Sequence, residues 1–119
     1  MRVRRLLLGC IVVALPACGG GGAGTPGVCA NPVEAERVQL TDFAFRPDCL
    51  TAAEGSMFRL VNTGQAPHTF TIEVTVVDVN VPAGTATDAS VSGLDPGRYT
   101  VTCTYHPQME ATLTVGEPQ

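Results

Sequence analysis

A thiol, an imidazole and a thioether lie within seven residues of one another near the end of the chain. They belong to Cys103, His106 and Met109, which follow one another at intervals of three residues. The sequence has two histidines, and the other one, His68, follows the turn signal Asn62-Thr63-Gly64. Because soft sulfur and imidazole nitrogen are ligands for transition metals, these four side chains are candidates to hold one metal ion.

The combination of donors favours copper over zinc. Thiolate and thioether sulfur suit Cu(I), imidazole suits both Cu(I) and Cu(II), and a trigonal plane of two histidines and one cysteine with a weak axial methionine lies between their preferences. A closed zinc site would need another thiolate where this loop offers a methionine. We therefore expect one copper ion whose geometry changes little when it gains or loses an electron. Met109 as a simple core residue is the alternative.

The cysteine count supports a metal thiolate at Cys103. The chain has five cysteines, of which Cys10 and Cys18 lie in the N-terminal segment. Thiols pair in oxidising compartments, and Cys29 and Cys49 lie on either side of the first strand pattern, so we expect them to form a disulfide. Cys103 is then left over, and metal binding explains an unpaired thiol. A buried apolar Cys103, or a disulfide from it to Cys29 or Cys49, is the alternative.

The first 30 residues have the pattern of an export signal followed by a tether. Three arginines precede the apolar run Leu6 to Leu15, which is too short to span a bilayer. Residues 1–17 are predicted to be a removed signal peptide, and Cys18 is expected to carry a lipid, with plain cleavage near Ala17 as the alternative. Residues 18–30 are predicted to be a Gly-rich flexible linker. The protein is therefore expected in the periplasm or at the cell surface, touching the membrane only through its lipid.

Residues 31–119 are predicted to form one small acidic domain with one core. The formal net charge of −4 becomes −7 when the three arginines of the signal are removed, and the chain contains no lysine. This charge argues against nucleic-acid binding, which needs basic surface to displace counterions. It favours basic or neutral protein partners.

Short β segments with turn residues between them run through this domain. Val38, Leu40, Phe43 and Phe45 alternate imperfectly, which predicts a bulge near Asp42. Further strands are predicted at 49–52, 57–61, 69–81 (as one long strand or two short ones), 89–91, 98–103 and 111–115, and a turn of helix at 31–36. Seven or eight short strands at regular spacing are typical of an all-β sandwich. The acids Asp42, Asp48, Asp78 and Asp88 are assigned to solvated surface, and Phe43, Phe45, Phe58 and Phe70 to the core.

The residues around the candidate ligands resemble the cupredoxins, a family of blue copper proteins. The resemblance rests on His68 after an Asn-x-Gly turn and on the pattern Tyr-x-Val-x-Cys-x-x-His-x-x-Met ending at Met109, and it covers residues 38–115. The short ligand loop, with Pro107 after the second histidine, is most similar to that of the amicyanins. The family implies a Greek-key sandwich and one type 1 copper held by His68, Cys103, His106 and Met109. It also implies an apolar patch around the second histidine, which we place at Pro67, His106 and Pro107.

Two residues depart from the family pattern. Thr69 stands where many members have asparagine, and we expect its hydroxyl to tie the two ligand loops together, though less firmly than asparagine would. Tyr105 stands where the amicyanins have proline, and it keeps a backbone N–H. We predict that this N–H donates to the Cys103 sulfur, which would stabilise Cu(I) and raise the reduction potential.

The expected function is the carriage of single electrons between redox proteins, such as a cytochrome or a copper oxidoreductase, by a monomer. The sequence contains no Ser/His/Asp arrangement and no glycine-rich phosphate loop, and we expect no enzymatic activity. The first alternative is copper storage or delivery in the cell envelope, which would use the same ligands. The second is a metal-free binding module built on the same frame.

Overall fold

The computed structural model describes residues 29–116, and all regular elements in this range are β-strands. The predicted signal peptide, the lipid site Cys18 and nearly all of the predicted linker lie outside these residues. The ten strands are β1 (Val33–Glu34), β2 (Arg37–Thr41), β3 (Ala44–Arg46), β4 (Cys49–Ala52), β5 (Met57–Asn62), β6 (His68–Thr71), β7 (Asp78–Val81), β8 (Ala86–Ser90), β9 (Gly97–Cys103) and β10 (His106–Val115). Within the described range, no helix is long and apolar enough to cross a membrane.

The strands form two sheets, and the predicted all-β sandwich is confirmed. One sheet has six strands in the order β1-β4-β10-β9-β6-β7, and the other has four in the order β3-β2-β5-β8. The strand number is ten rather than seven or eight because two predicted segments are hairpins and one short strand was not foreseen. The 69–81 segment is two strands, β6 and β7, one of the two forms the sequence allowed.

Aromatic rings join the two sheets in the core. The side chain of Phe70 on β6 is fully buried, and its ring meets those of Phe45 on β3 and Phe58 on β5 edge to face, with centroids 5.8 and 5.2 Å apart. Such T-shaped pairs stabilise a core beyond the burial of apolar area. Toward its end, strand β10 alternates between buried and half-buried residues, and Leu113 and Val115 are buried. The prediction of core positions for these three phenylalanines is confirmed.

The first hairpin corrects two predictions. Strands β2 and β3 pair antiparallel with Thr41 opposite Ala44, so Asp42 and Phe43 form a two-residue turn rather than a bulge. Phe45 then points into the core, whereas Phe43 sits at the tip of the hairpin and is 55% exposed. The alternation of apolar residues was misleading because the chain reverses between the two phenylalanines.

The N-terminal part of the described chain also differs from the predicted helical turn. Residues 33–34 form strand β1, which pairs in parallel with β4, Val33 opposite Leu50. The predicted disulfide between Cys29 and Cys49 is confirmed, and it ties this edge of the six-stranded sheet. Cys103 is the free cysteine of the described residues, and it is buried.

Three neighbouring strands bring the candidate ligands to one end of the sandwich. Strand β9 ends at Cys103, and β10 starts at His106 after a two-residue turn. Strand β6 runs antiparallel to β9, with Thr71 opposite Thr102, so its first residue, His68, lies at the end where β9 stops.

The aromatic contact between the sheets yields a stability prediction. We expect Phe70→Ala to lower the free energy of unfolding by about 3–5 kcal/mol, because it removes a fully buried ring and leaves a cavity. Urea denaturation of the metal-free protein measures this loss. Met57→Ala is the control, since Met57 is exposed on β5 and its truncation should change stability by less than about 0.5 kcal/mol. A loss below about 1 kcal/mol for Phe70→Ala would contradict this account of the core.

Candidate metal centre

Three of the four predicted ligands meet in one cluster. The sulfur of Cys103 lies 3.8 Å from Nδ1 of His68 and 3.5 Å from Nδ1 of His106. The three ligand atoms all lie within 4.8 Å of one another. His68 and Cys103 are 0% and 1% exposed, whereas His106 is half-buried.

The spacing of these atoms fits a shared metal ion. With ligand distances of about 2.0 Å to nitrogen and about 2.3 Å to sulfur, a trigonal arrangement separates nitrogen from sulfur by about 3.7 Å. The two observed separations, 3.5 and 3.8 Å, bracket that value. A cluster of one thiolate and two imidazoles is also the donor set that copper prefers.

The fourth predicted ligand, Met109, lies in an irregular part of β10. The pairing of β10 with β9 shifts register between His106 and Glu110, so the residues between them leave the regular ladder. Within this segment Met109 is buried, with 1% of its surface exposed, although its neighbours Gln108 and Glu110 are exposed. A bulge re-aims side chains at the rim of a sheet, and here it turns a thioether inward.

Hydrogen bonds from Asn62 shape the loop that carries His68. The Asn62 amide nitrogen donates to the carbonyl oxygens of Ala66 and Val81, each at 2.9 Å, and its Oδ1 accepts from the Gly64 N–H at 2.9 Å. Asn62 is 1% exposed, and all of these bonds satisfy a buried amide. The turn signal in the sequence therefore corresponds to a loop that delivers His68 to the start of β6.

Asp42 is exposed, as assigned from the sequence, and its carboxylate also contacts a candidate ligand. Its Oδ1 lies 2.8 Å from Nε2 of His68, and its side chain is 24% exposed. The backbone N–H of Gln65 lowers the pKa of the Asp42 carboxyl below its ordinary value, and the bonds to His68 and to the Ala66 N–H act in the same direction, against partial desolvation. In the neutral tautomer that carries its proton on Nε2, His68 donates a hydrogen bond to the Asp42 carboxylate, and its unprotonated Nδ1 faces the Cys103 sulfur.

The Cys103 sulfur receives a backbone hydrogen bond from a different residue than predicted. The N–H of Thr69, on β6, donates to this sulfur at 3.3 Å. The bond predicted from Tyr105 is not among the hydrogen bonds of residues 29–116. Tyr105 lies at the tip of the β9–β10 turn, and its hydroxyl donates instead to Asn80 Oδ1 at 3.4 Å.

The Thr69 hydroxyl ties the two ligand loops, as expected from the sequence. Its Oγ1 accepts from the backbone N–H of Thr104 at 2.9 Å and lies 3.3 Å from the hydroxyl of the same residue. Thr69 is 4% exposed and comes directly after His68, while Thr104 directly follows Cys103. One hydroxyl group therefore connects the loops on either side of the cluster.

An exposed aromatic ring that sequence reasoning missed covers His106. The ring centroid of Phe43 lies 4.5 Å from that of His106 and 6.1 Å from that of His68. Pro67 and Pro107 are exposed, as expected for the predicted apolar patch. The pair Asp42-Phe43 lacks the glycine or asparagine that usually marks a two-residue hairpin turn, so no local signal placed these residues at the site.

Comparison with known proteins identifies the family of the chain. The sequence model of the Cupredoxin-like domain family matches residues 11–115. The chain belongs to this family. No curated protein matches the sequence of this cupredoxin.

Two solved structures share the cupredoxin fold. A reduced Cu(I) form of an amicyanin variant has a TM-score of 0.59 and 17% identity, with 72% of this chain and 86% of that chain covered. The copper-containing nitrite reductase from Thermus scotoductus has a TM-score of 0.57 and 20% identity, with 80% of this chain covered. This cupredoxin spans 25% of the nitrite reductase chain.

The role of the Thr69 hydroxyl can be tested in the metal-free protein. Thr69→Val keeps the shape of the side chain but leaves the Thr104 N–H without its acceptor, which should cost about 1–3 kcal/mol of unfolding free energy. Chemical denaturation measures the cost, and hydrogen exchange of the Thr104 amide should become faster. Thr100→Val is the control, because Thr100 is exposed on β9. Equal stability and equal Thr104 exchange in wild type and Thr69→Val would rule out the tie.

Proposed function

We propose that this cupredoxin carries single electrons between redox proteins by means of one type 1 copper. The proposed ligands are the four side chains gathered at one end of the sandwich: His68, Cys103, His106 and Met109. The observation that carries the proposal is the cluster of two imidazoles and one cysteine sulfur, two of them buried and one half-buried, with all three ligand atoms within 4.8 Å. When bound, copper supplies the one-electron couple, and the protein supplies a fixed set of donors.

The surroundings of the ligands favour electron carriage over copper delivery. Three of the proposed ligands have at most 1% of their surface exposed, which leaves little room for a receiving protein to exchange ligands with the metal. Hydrogen bonds from Thr69 to the sulfur and from His68 to Asp42 hold the donors before metal binds. Preorganised donors keep the geometry the same in both oxidation states, and a carrier needs this property.

Electrons are proposed to enter and leave through His106. It is the half-buried member of the cluster, and Pro67, Tyr105 and Pro107 around it are exposed. A mostly apolar surface around one exposed imidazole edge allows a partner to approach the copper closely without a charged group to desolvate. We propose redox proteins as partners of a monomeric carrier, and no substrate chemistry at the site.

Export is proposed as the context of this function. The signal-like pattern of residues 1–17 and the Gly-rich stretch after Cys18 support it. The disulfide between Cys29 and Cys49 also supports it, because structural disulfides persist in oxidising compartments. Lipidation of Cys18 remains part of the proposal, and mass spectrometry of the mature N-terminus tests it.

The first experiment is a Cu(II) titration of the purified protein monitored by visible absorption. We expect an intense blue band from charge transfer between the Cys103 thiolate and copper, at one copper per chain. Cys103→Ser should abolish the band, whereas the double variant Cys29→Ser/Cys49→Ser should keep it. A wild-type protein that stays colourless under these conditions would refute the type 1 copper centre.

A second measurement separates carriage from delivery. The copper-loaded protein should exchange electrons rapidly between its Cu(I) and Cu(II) forms and should keep its metal in the presence of a metal-free acceptor protein. Slow self-exchange together with ready loss of copper to the acceptor would favour delivery.

The axial role of Met109 has its own test. Met109→Leu keeps the core filled, at a stability cost below about 1.5 kcal/mol, but removes the thioether. Loss of any donor destabilises the more highly charged Cu(II) more than Cu(I), so we expect the midpoint potential to rise when the axial sulfur is removed. Protein-film voltammetry measures the shift, and Met57→Leu, at an exposed methionine of β5, is the control. An unchanged potential in Met109→Leu would exclude Met109 as a ligand.

A further inference from the structure

We infer that the turn Asp42–Phe43 positions both histidine ligands, Asp42 by a hydrogen bond to His68 and Phe43 by ring contact with His106. The inference rests on the proposed function, because positioning matters only if the histidines bind metal. The two residues are consecutive at the tip of the β2–β3 hairpin. This hairpin belongs to the four-stranded sheet, whereas the ligands lie on the six-stranded sheet.

Asp42 holds His68 together with the loop that precedes it. Its Oδ2 accepts from the Gln65 N–H at 2.7 Å, and its Oδ1 accepts from the Ala66 N–H at 3.3 Å and from His68 Nε2 at 2.8 Å. Because two backbone groups fix the carboxylate, its contact with the imidazole has a defined direction. An outer carboxylate of this kind orients a metal-binding histidine and selects the tautomer whose other nitrogen is free.

Gly64 makes room for this carboxylate. A Cβ at position 64 would overlap the Asp42 carboxyl group, so a larger residue there would push Asp42 away. The hairpin is also tied to the same loop through its backbone, because the Thr63 N–H donates to the Leu40 carbonyl at 2.9 Å. The hairpin and the His68 loop therefore interlock.

Phe43 explains how His106 is held although it lies nearer the surface. Its ring contacts the His106 imidazole at a centroid distance of 4.5 Å and an interplanar angle of 51°. The ring lies outside the core and is 55% exposed, yet it meets both imidazoles of the cluster. This contact restricts rotation of His106 and shields the side of the imidazole that faces the hairpin.

Asp42 is tested with two variants that perturb it in different ways. Asp42→Asn keeps the shape of the side chain but removes its charge, and it places an amide N–H₂ against the backbone donors or His68. Gly64→Ala keeps the charge of Asp42 but displaces its carboxylate. Asp48→Asn is the control, because Asp48 is an exposed acid in the turn between β3 and β4. The readouts are the His68 tautomer in the metal-free protein by ¹⁵N NMR, Cu(II) affinity by chelator competition, and the midpoint potential.

In wild type and Asp48→Asn we expect the metal-free His68 to carry its proton on Nε2. In both Asp42→Asn and Gly64→Ala, the tautomer of His68 that carries its proton on Nδ1 should become populated. Cu(II) affinity should fall about 10- to 100-fold. The midpoint should rise in Asp42→Asn, because a negative charge beside the ligand favours Cu(II) over Cu(I). Wild-type tautomer and affinity in both variants would overturn the role of Asp42. A wild-type protein that binds no copper would refute the proposed function, while the tautomer in the metal-free protein would still decide on Asp42.

Phe43 is tested by the accessibility of His106. In the metal-free protein, Phe43→Ala should increase the rate at which diethyl pyrocarbonate modifies His106 severalfold, measured by peptide mass spectrometry. Phe43→Leu should keep most of the protection, and Val76→Ala, at an exposed valine of the β6–β7 turn, should leave the rate unchanged. With copper bound, azide should change the visible spectrum of Phe43→Ala but not of wild type. Equal modification rates in Phe43→Ala and wild type would overturn the role of Phe43.

Discussion

The pairing of β9 with β6 on one side and β10 on the other is the constraint on which the candidate metal centre depends. Neighbouring strands in a sheet lie about 4.8 Å apart, so ligands at the ends of three adjacent strands start within reach of one ion. Strand β9 supplies Cys103, and the flanking strands supply one imidazole each, from His68 and His106. The two 3.5–3.8 Å contacts between sulfur and nitrogen follow from this arrangement.

The rest of the structure keeps these strand ends from moving apart. Within the six-stranded sheet, Thr69 donates its N–H to the Cys103 sulfur and accepts through its hydroxyl from Thr104. Across the sandwich, the contacts of Phe70 with Phe45 and Phe58 hold the sheets together. Buried hydrogen bonds resist rearrangement because a lost partner costs the full desolvation of the group left behind. A rigid frame suits a centre whose geometry should stay the same in two oxidation states.

The proposed ligands differ in their exposure to solvent. His68, Cys103 and Met109 are enclosed, which protects the thiol from oxidation and excludes competing ligands. His106 lies nearer the surface under the exposed ring of Phe43. A carrier needs this asymmetry, because its metal must be shielded from solvent yet close to a partner. The fold alone does not decide the activity, since cupredoxin-like domains also form part of a larger copper-containing nitrite reductase.

The sequence by itself determined the elements of this protein that depend on local pattern and chemistry. The alternation of β5, the turn at Asn62, the spacing of Cys103, His106 and Met109, and the cysteine count were sufficient to predict the sandwich, the candidate donor set and the Cys29–Cys49 disulfide. Each of these follows from neighbouring residues or from counting.

Only the tertiary structure decided what surrounds the donors. Asp42 and His68 are 26 residues apart, and they meet because the hairpin of one sheet packs over the strand ends of the other. The same packing places Phe43 on His106 at the surface rather than in the core, and strand pairing makes Thr69 rather than Tyr105 the donor to the Cys103 sulfur. Such contacts depend on how two sheets are placed relative to each other, and no local periodicity carries that information.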